Sequence, residues 1–324
     1  MQRTPPNDGR PPRGRPPGSG QPWDRAAARG PREPSQEQRR SPAHREPQQE
    51  QRRPPLHRER QQHTHHDEQP GGHDSAALRD QRTAELRLYG LNAIHAVFQR
   101  RPQAIRKVYL GESRIPALQP LLKWCVANRV GYRVVDEEDL NRLAASTHHE
   151  GVVADVLREE PVPLSTWLRD LPAGPQCALW LDGVGNPHNL GAILRSAAHF
   201  GVVAVLLPKS SPLALSGAAA RVAEGGAEAV PMVRLGRSDN AIAQLRGAGF
   251  TLAATVVKGG GDLFDTELPD RVVYVIGAEG EGMDRDLAEA CDLRLSIPGT
   301  GAVESLNVAA ATAVLLSAWR ATRD

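Results

Sequence analysis

The chain has 324 residues, 40% of them hydrophobic and 24% charged, with a formal net charge of +2, which is length enough for two domains with sizeable cores. Cys125, Cys177 and Cys291 are odd in number and far apart, which excludes a disulfide framework and a CxxC metal site and fits a reducing compartment. No basic-then-apolar signal peptide opens the chain, and its longest apolar stretch, VAAATAVLLSAW, is too short to span a bilayer. The expectation is a soluble, cytoplasmic protein with no membrane association.

Residues 1–82 read as a disordered arm. The first 80 residues hold 14 of the 27 prolines and show no apolar periodicity, so they cannot bury enough surface to offset their ordering entropy. They also carry 15 Arg against 11 Asp and Glu, a net of +4, and the rest of the chain is close to neutral at −2. Attraction for a polyanion would therefore come from this arm and from local clusters on the body. The tract HTHHDE reads as polar filler more than as a metal site.

Order begins near Leu86. A helix over LNAIHAVFQRR, a strand over RKVYL, a helix over ALQPLLKWCVAN, a strand over GYRVV, a helix over EEDLNRLAA and a strand over GVVADVL make a small α/β domain spanning 86–157. A proline-flanked connector, 158–176, separates it from a second domain over 177–324. There the strands ALWLD, VVAVLLP, AVPMVRL, TLAATVV, VVYVIG and LRLSIP are short and apolar on both faces. That composition belongs to a parallel sheet covered by helices on both sides.

Ligands of such sheets sit beyond the carboxyl ends of the strands, and the segments found there are rich in glycine and polar groups. DGVGNPHNLGAILRSAAHFG follows ALWLD, AEGEGM follows VVYVIG, and GTGAVESLNVAAAT follows LRLSIP. A Rossmann site does not fit, because His188 stands where the third glycine of GxGxxG belongs and GAEGEG has the inverted spacing; no GxxxxGK[ST] loop exists.

These three segments, NPHNLGAILRSAAHFG, VIGAEGEGM and LSIPGTGAVESLNVAAATAVLL, resemble in order and separation the motifs of the SpoU (TrmH-type) branch of the SPOUT RNA methyltransferases. The domain before them resembles the ribosomal-protein-like substrate domain of the bacterial 23S rRNA ribose methyltransferases. The resemblance implies an α/β catalytic domain with a parallel sheet and a trefoil knot. It also implies bound S-adenosyl-L-methionine without a metal, a homodimer, and methylation of a ribose 2′-hydroxyl in structured RNA. Large-subunit rRNA is the expected substrate, with tRNA, or a catalytically silent RNA-binding protein of the same fold, as alternatives.

The resemblance further implies roles for particular residues. Arg195 falls on the catalytic arginine, either as base, although a guanidinium scarcely gives up its proton, or as an electrostatic stabiliser that grips a phosphate and the developing alkoxide; the sequence does not separate the two roles. Its helix face, with Gly191, Ala192 and His199, reads as open to a phosphate or sugar, and the opposite face, with Leu190, Ile193, Leu194 and Ala197, as the packed one. Asn189 would orient Arg195 or the ribose, or else cap the helix. Glu279 would fix a cationic or amide neighbour, with Glu281 a surface charge. Ser305 and Asn307 would position the substrate and brace the arginine, although Ser305 could instead cap the last helix. Gly277, Ile297 and Leu306 are the expected cofactor contacts, with Thr255 a weaker candidate. The last helix, apolar around most of its circumference, is expected to be buried in a dimer interface.

Overall fold

The computed structural model describes residues 84–280 and 282–323; the arm, its histidine tract and Glu281 lie outside the described residues. Two sheets organise the chain. The first has four strands in the order β1-β4-β2-β3, made of β1 (Glu85–Tyr89), β2 (Ile105–Leu110), β3 (Gly131–Val134) and β4 (Val152–Leu157). β4 runs antiparallel to both β1 and β2, and β3 is parallel to β2. Helices α1 (Leu91–Arg100), α2 (Ile115–Ala127) and α3 (Glu137–Ala144) join them. Asp136 starts α3 by accepting from the Asp139 amide at 2.8 Å, satisfying a donor that the first helical turn leaves unpaired.

The second sheet has eight strands in the order β10-β12-β9-β11-β6-β7-β8-β5, every neighbouring pair parallel. Its strands are β5 (Val162–Pro163), β6 (Gln176–Leu181), β7 (Ala204–Leu207), β8 (Met232–Arg234), β9 (Thr251–Thr255), β10 (Gly261–Asp262), β11 (Arg271–Ile276) and β12 (Leu293–Ser296). The helices are α4 (Leu164–Arg169), α5 (Pro187–Phe200), α6 (Gly217–Val222), α7 (Gly226–Ala229), α8 (Ser238–Gly247), α9 (Arg285–Ala290) and α10 (Val308–Ala321).

All six residues of β6 are buried, and their alternation feeds two cores. Cys177, Leu179 and Leu181 join Val272, Tyr274 and Ile276 on one face, and Ala178 and Trp180 join Val273 and Val275 on the other. Each large apolar side chain so enclosed contributes about 1.5–3 kcal/mol, which is why strands apolar on both faces settle only between two helical layers. The α/β class and parallel sheet expected from the sequence are those observed.

Four local features differ from the sequence reading. β1 was not anticipated as a strand: Leu86 and Leu88 point into the core, and Arg87 points out to Asp155 at 2.7 Å. The connector 158–176 is no bare linker, since β5 closes one edge of the large sheet and α4 buries Leu164 and Trp167 in its core. In α5 the helix face expected to be open is so only at Arg195 and His199, which are exposed, and not at Gly191. A Cβ there would lie 2.5 Å from the Ala219 oxygen and 2.7 Å from the Val222 Cβ, so the missing side chain lets α6 approach, and no ligand could use that space. Finally, α10 packs on α5 through a single stripe, Val308, Thr312, Leu315, Leu316 and Trp319, and leaves Ala310, Ser317 and Ala321 exposed. One chain by itself thus buries the helix along one side only.

The two sheets meet across α6 and α7. Gly217, at the start of α6, is so close to β1 that a Cβ would sit 2.5 Å from the Arg87 oxygen. Ala220 completes the core of the small sheet. Arg101 then clamps the junction, donating from Nε and Nη2 to Glu228 of α7 at 2.6 and 2.7 Å and from Nη1 to the Leu157 oxygen at 2.6 Å.

Candidate active site

From β6 the chain proceeds outward through β7 and β8 on one side, and β11, β9 and β12 lie on the other. The carboxyl ends of β6 and β11 therefore flank a point where the order of the sheet reverses, the place where open α/β sheets bind ligands. The loops beyond those two strands are joined. The Asp284 amide donates to Asp182 Oδ2 at 3.0 Å, and Gly183, at φ 78°, brings its Cα so near Ala278 that an added Cβ would be 3.0 Å from that methyl.

At this point the structure gathers three of the five residues assigned to catalysis. Asn307 Nδ2 donates to Glu279 Oε1 at 2.7 Å and to Asn189 Oδ1 at 3.2 Å. The same Glu279 oxygen accepts from the Val308 amide at 3.2 Å, so its charge meets the positive end of α10. Asn307 also caps that helix, its Oδ1 accepting from the amides of Ala309 and Ala310. The cap expected as an alternative for Ser305 thus belongs to Asn307. Likewise Asn186, not Asn189, caps α5, accepting from the His188 amide at 2.8 Å, which leaves the Asn189 side chain for Asn307. The partner expected for Glu279 was a cationic or amide neighbour; it is the Asn307 amide.

Arg195 and Ser305 do not join this cluster. Arg195 lies further along α5 with its side chain 65% exposed, and its ion-pair partner among the described residues is Glu224, at 4.0 Å. Ser305 is exposed and its hydroxyl makes no hydrogen bond among the described residues. Glu224 and Asn92, whose amide donates to it, were not anticipated; the Glu-Gly-Gly after a short helix was the available signal.

Of the residues assigned to the cofactor, Leu306 is 46% exposed and Ile297 is half-buried against the core. Gly280, Gly299 and Gly301 in the same two loops face open space. Apolar edges beside accessible loop backbone suit a purine and its ribose, so the residues present fit S-adenosylmethionine. Gly277 has a packing duty as well: a Cβ there would be 2.5 Å from the backbone of Gly282 and Met283, where the loop doubles back. Thr255 is spoken for, its hydroxyl donating to the Val275 oxygen at 3.0 Å. Among the described residues no group of three or more His, Cys, Asp or Glu could hold a metal ion, and no helix is long and apolar enough to cross a membrane. The three cysteines are free; burial pushes the thiols of Cys125 and Cys177 up, and burial with Asp292 beside it pushes that of Cys291 up to about 11.

Comparison with known proteins places the chain among its relatives. The SpoU rRNA Methylase family matches residues 176–317, and the RNA 2'-O ribose methyltransferase substrate binding family matches residues 87–162. The chain is 42% identical over 247 residues, 76% of this chain and 71% of the relative, to the "Uncharacterized tRNA/rRNA methyltransferase YfiF" of Escherichia coli O157:H7. It is 34% identical over 238 residues, 73% of this chain and 95% of the relative, to the 23S rRNA (guanosine-2'-O-)-methyltransferase RlmB of Neisseria meningitidis serogroup B. Among solved structures, an AdoMet-bound rRNA methyltransferase from Sinorhizobium meliloti superposes with a TM-score of 0.64 at 25% identity, over 77% of this chain and 91% of that one. With family models matching both of its sheets and relatives 34–42% identical over most of their length, the chain belongs to the SpoU rRNA methylase family.

Proposed function

We propose that this chain is an S-adenosylmethionine-dependent RNA methyltransferase that modifies a ribose 2′-hydroxyl, in 23S rRNA. The observation that carries this reading is the Asn189–Asn307–Glu279 cluster at the carboxyl ends of β6 and β11. When bound, the donor supplies a methyl group already activated on a cationic sulfonium, so the protein has to align two partners and manage one proton. Glu279 fixes Asn307 and the start of α10, and Asn307 in turn fixes Asn189, giving a rigid polar floor for the ribose. Arg195 grips an RNA phosphate and stabilises the developing alkoxide, while the 2′-hydroxyl proton passes to solvent. Ser305 positions the substrate, and the loops holding Gly277, Ile297 and Leu306 hold the adenosine. The small sheet with its helices is the RNA-recognising part.

One chain leaves Arg195 and Ser305 away from the cluster, and this supports a homodimer in which a second copy completes each site; the exposed apolar side chains of Val303 and Leu306 are then covered. A cytoplasmic location follows from the substrate. The name of the Escherichia coli O157:H7 relative keeps tRNA as the second reading.

The test uses labelled S-adenosylmethionine with rRNA and tRNA from cells lacking the protein. Label in a single ribose of 23S rRNA is expected, and Arg195→Ala should retain the donor yet lose turnover. RNA binding without any label in either RNA would instead identify a silent RNA-binding module.

A further inference from the structure

The turn Glu224-Gly225-Gly226 is wedged between the small sheet's first helix and the backbone of Arg195. A Cβ on Gly225 would lie 3.2 Å from the Ala96 methyl of α1; one on Gly226 would lie 2.6 Å from the Leu194 oxygen and 3.1 Å from the Arg195 Cα. Glu224 spans the same gap with its carboxylate. Oε2 accepts from Asn92 Nδ2 at 2.5 Å, and Oε1 stands 4.0 Å from Arg195 Nη1. The residue itself takes φ 51°, a left-handed conformation uncommon for a residue with a side chain. The neighbouring contacts hold the turn in place: Arg221 bonds the His148 oxygen at 2.9 Å and pairs with Glu150 at 3.1 Å, and Glu150 accepts from the Leu91 amide at 2.9 Å.

We propose that Glu224 is a positioning residue for Arg195, setting the direction of its guanidinium and tying it, through Asn92, to the seating of α1. The inference rests on the reading that Arg195 acts at the reacting ribose. A long pair at 4.0 Å with an exposed arginine adds little to stability, so it does not offset the strained backbone; the turn persists because its neighbours over-determine it, as at functional sites. A carboxylate suits the task because it offers two acceptor oxygens, one for each partner. When an RNA phosphate reaches Arg195, it displaces Oε1 while Asn92 still holds Oε2, and the arginine swings from a defined starting position. An RNA that shifts α1 moves Arg195 with it.

The test compares full-length Glu224→Gln, Glu224→Gly, Asn92→Ala and the Asn92→Ala/Glu224→Gln double variant. In Glu224→Gln, kcat for methyl transfer to 23S rRNA should fall about tenfold, less than the loss a misplacement of about 1 Å can bring, with KM for S-adenosylmethionine unchanged. Asn92→Ala should reproduce the kcat loss, and the double variant should be no worse than the more damaged single one, as for two residues acting through one contact. Glu224→Gly relieves the left-handed backbone, so its Tm should equal or exceed that of the parent while its kcat still falls. Unchanged kcat in Glu224→Gln, additive losses in the double variant, or losses that track Tm would overturn the proposal. A second readout is independent of turnover: in RNA-free protein, phenylglyoxal labelling of Arg195, followed by peptide mass spectrometry, should quicken in Glu224→Gln and in Asn92→Ala. If the parent protein methylates no RNA, the functional reading fails, and unchanged labelling in both variants would separately overturn the role of Glu224.

Discussion

Replacing Gly277 by alanine adds one carbon where the loop between β11 and α9 returns on itself. The loop is closed by a pair of backbone hydrogen bonds, Ala278 amide to Gly282 oxygen at 2.8 Å and Gly282 amide to Ala278 oxygen at 3.0 Å. The new Cβ would meet the Gly282 carbonyl carbon and the Met283 nitrogen at 2.5 Å and the Gly282 oxygen at 2.7 Å. These are backbone atoms, which cannot rotate aside, so the loop must back away by about 1 Å, at an overpacking cost of about 1–3 kcal/mol. Glu279 rides on this loop; a retreat of that size takes its 3.2 Å contact with the Val308 amide out of hydrogen-bonding range. Calorimetry should show donor affinity weakened about tenfold, the equivalent of about 1.4 kcal/mol, and kcat/KM should fall about a hundredfold. Thermal melting should drop by about 2–12 °C. An alanine variant with parental donor affinity, turnover and Tm would refute the claim that this glycine holds the site together by its absence of a side chain.

Two predictions concern stability. Arg101→Met leaves the Glu228 carboxylate, 5% exposed, without its partner, and urea unfolding should show a loss of about 3–5 kcal/mol, largely recovered when Glu228→Leu is added; a single-variant loss below about 1 kcal/mol would remove this clamp from the energetics of the junction. Burial raises the Cys177 thiol, the Tyr274 phenol and, to about 11, the Cys291 thiol. The unfolded chain therefore ionises first, and the stability these groups confer is complete below about pH 8.5 and declines as pH rises towards the folded-state values. Melting temperatures between pH 8 and 11 should fall, less steeply in Cys291→Ala; a flat profile would contradict the assignment.

What the sequence disclosed depended on how far apart the partners lie along it. The strand Gln176–Leu181 was legible in its core, ALWL, because a short apolar run bounded by polar turns fits a doubly covered sheet. The strand Glu85–Tyr89 was not, because its alternation is short and its partner, Val153–Leu157, lies more than sixty residues away. The motif residues Asn189, Glu279 and Asn307 could be nominated through resemblance, but their mutual hydrogen bonds follow from strand order, which periodicity does not encode. Gly191 was misread for a related reason: a small residue on a helix signals either a ligand or a second helix, and only the position of Ala219 decides. Glu224 escaped notice because its partners, Asn92 and Arg195, come from elements whose proximity depends on how the two sheets dock.

The outermost strands of the large sheet, Gly261–Asp262 and Val162–Pro163, are two residues each, and one of those residues is a proline. Such a rim gives an approaching chain scarcely any ladder to extend, and the proline contributes no donor. Continuation of this sheet into a second copy is thereby discouraged at both flanks, and a lasting union through the large sheet's half of the molecule has to be made by helices and loops, side chain against side chain.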